Sequence, residues 1–160
     1  MFAIHRIKKS YLIAVGIVFF LIVILVVKGQ SVALPKNITC NTVENVRIVL
    51  DNQFGVKDFL NQFDLQIQSD TEKKVVITIP SEFNDVYENY NALQKKQGFD
   101  LSKYKGDTAV RYTYNVKDYP TGADVKANVI VCDNRVIAGD LCTVILGGGM
   151  STLDDKTIEK

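Results

Sequence analysis

Hydrophobic residues follow two different patterns along this chain. An uninterrupted apolar run begins at Tyr11 and ends at Val27, whereas beyond Gly29 apolar and polar residues are interleaved. The run covers seventeen residues. As a helix it spans roughly 26 Å at about 1.5 Å per residue, close to a bilayer core of about 30 Å. The pattern therefore predicts one transmembrane helix followed by a globular domain.

Charges on either side of the run predict its orientation. Arg6, Lys8 and Lys9 precede it, and only Lys28 follows closely. Because positive charge is retained on the cytoplasmic side, we expect a cytoplasmic N-terminus and an extracytoplasmic C-terminal domain. The alternative is a signal peptide cleaved after Ala33, which would give a secreted protein. The length of the run favours a retained anchor in the cell membrane.

This topology divides the chain into five parts. We predict a basic cytoplasmic leader (1–10), a transmembrane signal anchor (11–27), a tether (28–41), an extracytoplasmic domain (42–150) and a flexible tail (151–160). The tether lacks periodicity and contains Pro35. The tail is predominantly polar, so we expect it to fray.

Two amphipathic helices are predicted in the domain. The first lies within 53–63, and the second follows Pro80, with Ser81 as its cap and Gly98 at its end. In the second helix, apolar residues recur at three- and four-residue spacing and should form a stripe facing a sheet: Phe83, Val86, Tyr87, Tyr90 and Leu93.

Strand-like alternation accounts for most of the remaining domain. It occurs at 46–50, 65–68 and 75–79, and then at 109–116, 125–132 and 135–146. The last strands are joined by short turns, one of them at Asp133-Asn134, which indicates an antiparallel meander. The predicted fold class is α+β, with one antiparallel sheet covered on one face by two helices.

Composition removes several kinds of chemistry. The only histidine is His5, in the leader, so the domain lacks the imidazole that Ser-His-Asp and Cys-His sites use. From Gly29 onward, 15 Lys and Arg stand against 18 Asp and Glu. No basic patch indicates nucleic acid as a partner. We assign no catalytic, cofactor-binding or metal-binding residue.

The three cysteines leave the question of a disulfide open. Cys40, Cys132 and Cys142 make an odd number in a compartment where pairing is possible. A tight turn at Asp133-Asn134 pairs Cys132 with Arg135 and leaves Cys142 distant. A Cys40 to Cys142 bridge is an equal alternative, and burial of the free thiols is the simpler interpretation.

Several motifs resemble those of a bacterial family, the domain of unknown function 4830. They are Ile79-Pro80-Ser81-Glu82-Phe83, Val86-Tyr87-Glu88-Asn89-Tyr90-Asn91, Gln94-Lys95-Lys96-Gln97-Gly98-Phe99-Asp100-Leu101, Tyr104-Lys105-Gly106, Arg111-Tyr112-Thr113-Tyr114 and Val136-Ile137-Ala138-Gly139-Asp140. The resemblance covers about 52–153. It implies a membrane-anchored or secreted protein of clostridia or their relatives, without an assigned activity or catalytic residue.

These observations favour a non-enzymatic domain that binds an envelope protein or a wall component. The bilayer would be its other partner, through the run from Tyr11 to Val27. One alternative is a cell-wall glycan hydrolase, which needs two carboxyl groups roughly 5 to 10 Å apart. Another is a structural subunit of a membrane complex, which an exposed apolar patch would favour.

Overall fold

A five-stranded antiparallel sheet organises the part of the chain that the structure, a computed structural model, describes: residues 35–40, 43–144 and 149–158. The strands lie in chain order: β3 (Ile67–Thr78), β4 (Thr108–Val116), β5 (Val125–Cys132), β6 (Arg135–Thr143) and β7 (Met150–Ser151). Before them, β1 (Asn37–Ile38) and β2 (Val46–Arg47) form a separate pair. The predicted α+β class and the antiparallel sheet are confirmed.

The hairpin between β5 and β6 is set by its two turn residues. Asp133 and Asn134 have positive φ angles of 47° and 57°, the conformation that a two-residue type I′ turn requires. Cys132 consequently pairs with Arg135, as the sequence predicts. Farther from the turn, a bulge between Ile130 and Val131 shifts the register by one residue.

Helices α1 (Val56–Asn61) and α2 (Asp85–Lys96) lie against opposite faces of the sheet. Phe59 of α1 and Val129 of β5 belong to the same apolar cluster, and the side chains of β5 alternate between the two faces. Tyr90 of α2 packs against the other cluster, which contains Ile130, the next residue along β5. The prediction that both helices cover one face is therefore wrong, because each face carries its own apolar cluster.

The second helix begins later than predicted and buries a different side. Asn84, not Ser81, is its N-cap, and its side chain accepts a hydrogen bond from the Tyr87 amide at 3.0 Å. Gly98 ends the helix with a φ of 83°, as expected. Within the predicted apolar stripe, Val86 is 73% exposed.

The chain between 65 and 79 also differs from its prediction. The sequence indicates two strands separated by a polar turn, but the structure has a single strand, β3, with an irregularity between Gln68 and Lys73. The Thr71 hydroxyl donates to the Gln68 carbonyl at 2.7 Å and accepts from the Asn115 amide at 2.9 Å. These bonds hold the polar segment against β4.

The two ends of the described chain are packed on the domain. Where the sequence predicts a tether, Pro35 to Cys40 includes β1, and Cys40 is buried with its thiol donating to the Gln97 carbonyl at 3.1 Å. Where it predicts a frayed tail, β7 pairs with β6 and Leu153 is fully buried. Cys40, Cys132 and Cys142 are free thiols.

The predicted anchor, residues 11–27, lies outside the described residues. Among the residues that are described, no helix is both long and apolar enough to cross a membrane.

Candidate functional site

A groove of about 810 Å³ runs between α2 and the face of the sheet that α2 partly covers. We call it the α2 groove. Its apolar lining comes mainly from Ile77, Val86, Leu93, Ile130 and Met150, and its polar lining includes Asn89, Lys96, Arg111, Asn128 and Asp140. The volume falls within the range of about 300–1,000 Å³ typical of ligand pockets.

A buried carboxylate occupies the centre of the groove floor. Asp140 is only 2% exposed, yet each of its oxygens accepts a hydrogen bond of 2.8 Å, one from the Tyr90 hydroxyl and the other from the Asn128 amide. The Thr113 hydroxyl in turn donates to the Asn128 carbonyl oxygen at 2.7 Å. These bonds fix the orientation of the carboxylate.

Burial dominates the electrostatics of this network. Desolvation raises the pKa of Asp140 above its usual range, against the opposing effects of Asn128, Tyr90 and the charge of Arg111. It also raises the pKa of the Tyr90 hydroxyl well above the ordinary value, and the charge of Asp140 adds to that effect. Tyr90 therefore stays protonated and acts as a donor at neutral pH.

Arg111 supplies the groove with an exposed cation whose charge acts on Asp140. It lies on β4 directly between Val75 of β3 and Ile130 of β5 in the strand register. Within the described residues its guanidinium forms no hydrogen bond or salt bridge. Asp140 is the only acidic residue of the groove lining and is already bonded to Tyr90 and Asn128.

The C-terminal end of α2 is held at the edge of the sheet by glutamines. Gln97 Nε2 donates to the Gly139 carbonyl at 2.8 Å, and the Gly139 amide donates to Gln94 Oε1 at 2.9 Å. Gln97 Oε1 also accepts from the Leu153 amide at 2.8 Å. These bonds replace the strand partners that β7 is too short to provide, and they fix α2 across the groove.

The groove offers little of what covalent catalysis requires. Burial, followed by the charge of Asp140, raises the pKa of the Cys142 thiol, so the thiol stays protonated at neutral pH. The glycan hydrolase hypothesis needs a pair of carboxyl groups, and the groove lining contains one. The arrangement is suited to holding a ligand through fixed polar groups and apolar walls.

The sequence alone assigns no site residue, and only part of the site can be predicted from it. The apolar spacing predicts that Tyr90 faces the sheet, and it does so with its hydroxyl donating to Asp140. The signal for the site is Asp140 itself, a charged residue that interrupts the apolar and glycine residues 136–142 of β6. Buried charges of this kind are rare unless they are paired or functional.

The described fold and the α2 groove define a class of small α+β domain, with one helix against each face of a single antiparallel sheet and a ligand-sized groove beneath the longer helix.

The chain belongs to the family described as Domain of unknown function (DUF4830), whose model matches residues 59–141, just over half of its length. No curated protein and no solved structure matches it. The matched residues include the second half of α1, all of α2 and the positions of Arg111, Asn128 and Asp140 on their strands.

Proposed function

We propose that this protein is a non-enzymatic binding domain, held at the outer face of the cell membrane by residues 11–27, and that an envelope protein or a wall component occupies its α2 groove. The orientation rests on the basic residues before the apolar run. The binding role rests on one observation: the groove combines apolar walls with an exposed guanidinium that forms no hydrogen bond or salt bridge within the described residues, and with a buried carboxylate that neighbouring side chains hold in place.

Burial of Asp140 favours binding over catalysis. A general acid or base must reach its substrate to exchange a proton, but Asp140 is buried and each of its oxygens accepts a hydrogen bond from a neighbouring side chain. The same bonds give the groove a rigid floor, so that little side-chain entropy is lost when a ligand binds.

Site-specific photo-cross-linking in intact cells tests this proposal. A photoreactive amino acid at Val86, in the groove lining, should capture the ligand, and the adduct can be identified by mass spectrometry. The matched control is the same amino acid at Glu88, which is exposed on α2 but does not line the groove.

Two results would contradict the proposal. One is equal capture from Val86 and Glu88. The other is capture from Val86 that persists when Ala92→Trp fills the groove, because Ala92 is part of its lining.

A further inference from the structure

The edge of the sheet formed by β3 carries no partner strand within the described residues. We infer that the segment Lys74 to Thr78 on this edge pairs antiparallel with the same segment of a second copy of the chain, about a two-fold axis at Val76. Two five-stranded sheets are then joined edge to edge. The inference goes beyond the proposed function, because it uses the backbone of β3 rather than the α2 groove.

Every second residue of β3 directs its backbone groups to this free edge. The Ile79 amide donates to the Asp107 carbonyl at 2.9 Å, in line with the register of β3 and β4. In an antiparallel ladder, residues alternate between bonding the partner strand and pointing away from it. The odd-numbered residues from 73 to 79 therefore bond β4, and the N–H and C=O groups of Lys74, Val76 and Thr78 face outward.

The outward groups lie beside exposed apolar side chains. Val76 is 70% exposed and Val75 is 46% exposed. An edge of this kind is a template for strand pairing, which proteins block with charges and bulges. Here the irregularity that follows Gln68 interrupts the first half of β3, and Pro80 comes shortly after its end. The segment that is open to pairing is therefore Lys74 to Thr78.

The residue pattern of this segment fits a second copy of itself. With Val76 on the two-fold axis, Val75 lies opposite the partner's Ile77, so apolar side chains meet apolar side chains. Lys74 then lies opposite the partner's Thr78, and all the outward backbone groups of the two strands meet in hydrogen-bonded pairs. One segment thus supplies both sides of the contact.

Charge selects this register over its neighbours. Moving the axis toward the start of β3 would bring Lys73 and Lys74 toward their own copies, and like charges directly opposite each other are destabilising. Moving it toward the end would set Lys74 against the partner's Pro80, which has no N–H to donate. With the axis at Val76 the lysines of the two copies lie apart, and Lys74 Nζ stays paired with Glu72 Oε1 of its own chain at 2.8 Å.

The paired segment is short, so the association is weak in dilute solution. A standard interface uses about 20–30 residues on each side. Copies held at one membrane surface by residues 11–27, as proposed above, would meet at a high effective concentration, which strengthens a weak contact. We therefore expect the dimer in cells.

Disulfide cross-linking of the full chain in cells tests the pairing. Val76→Cys places two thiols at the axis, where Cα atoms about 5.5 Å apart suit a disulfide. The matched control is Thr78→Cys, which is exposed on the same strand, but its two copies lie about 14 Å apart at about 3.4 Å per residue. After oxidation with copper phenanthroline, non-reducing gels should show at least about tenfold more dimer for Val76→Cys than for Thr78→Cys. The wild type, with its free thiols, supplies the background.

A mixed pair of variants tests the register without a thiol at the axis. Lys74→Cys and Thr78→Cys chains, produced in one cell with different tags, should cross-link to each other. Adding Val76→Lys to both chains should lower this yield at least about threefold, because two lysines then meet at the axis. Val144→Lys is the matched control, since Val144 is also an exposed valine but follows β6, which lies away from the β3 edge.

Absence of a dimer from Val76→Cys, a yield equal to that of Thr78→Cys, or a mixed dimer unaffected by Val76→Lys would overturn the inference. A product that joins Val76→Cys to a different protein would overturn the assignment to a second copy. None of these outcomes alters ligand capture at Val86, so this inference and the proposed function can fail independently.

Discussion

Substitution of Gly139 tests how tightly the end of the chain is packed on the sheet. A Cβ atom at Gly139 would meet Leu153 Cδ1 at 2.5 Å and Leu153 Cγ at 3.1 Å. Leu153 is fully buried, so its side chain has little room to move away. The glycine is therefore needed for close approach, and alanine at this position would overpack the core.

The expected effect follows from two opposing contributions. Overpacking a core typically costs about 1–3 kcal/mol. Replacing glycine by alanine also restricts the unfolded chain, which stabilises the folded state by about 0.4–1 kcal/mol. We expect Gly139→Ala to lower the free energy of unfolding by about 1–2 kcal/mol, measured by urea denaturation of residues 35–160 with circular dichroism.

Two further variants make the explanation specific. Gly149→Ala is the control, because a Cβ atom there meets nothing within 4 Å. Combining Gly139→Ala with Leu153→Ala removes the clash, so the double variant should be more stable than the sum of the single effects predicts, by about 1 kcal/mol or more. Neutral behaviour of Gly139→Ala, or strict additivity with Leu153→Ala, would refute the reasoning.

Three other predictions concern the site and the thiols. Gln97→Ala should cost about 2–5 kcal/mol in urea denaturation, because it leaves the Gly139 carbonyl and the Leu153 amide without partners; a loss below about 0.5 kcal/mol would contradict this. Burial raises the pKa of Asp140 in the folded state, so the folded protein binds that proton more tightly than the unfolded chain. As pH rises from the ordinary Asp range through the folded pKa of Asp140, the free energy of unfolding of the wild type should therefore fall relative to that of Asp140→Asn. Parallel pH profiles of the two proteins would count against this prediction. Burial raises the pKa of the Cys40 thiol to about 12. Iodoacetamide at pH 8 should therefore label Cys40 only after the protein unfolds, and rapid labelling of the native protein would contradict its burial.

Local signals in the sequence predict the parts of the fold that depend on local backbone geometry. The turn at Asp133-Asn134 follows from two residues that tolerate positive φ, and the end of α2 follows from Gly98. Alternation along β4 places Tyr112 and Tyr114 on one face, as the structure does, with Tyr114 in the core. Each of these features is determined by neighbours in the chain.

The site could not be predicted because it depends on register and on long-range bonds. A simple hairpin from Asp133-Asn134 would pair Asn128 with Gly139. The bulge between Ile130 and Val131 moves the register so that Asn128 faces Asp140. No residue type in that stretch signals the bulge. The hydrogen bond between Asn128 and Asp140, which forms the floor of the groove, therefore cannot be predicted from the residue pattern.

The same limit explains why the groove is open at all. An apolar stripe on α2 predicts a helix lying flat on the sheet, with Val86 buried. Instead the helix is fastened at its C-terminal end through the polar side chains of Gln94 and Gln97, which bond the edge of β6. Val86 stays exposed, and Arg111 is left uncovered on the sheet. The hydrogen bonds of Gln94 and Gln97 thus account for both the exposed wall of the groove and the uncovered position of Arg111.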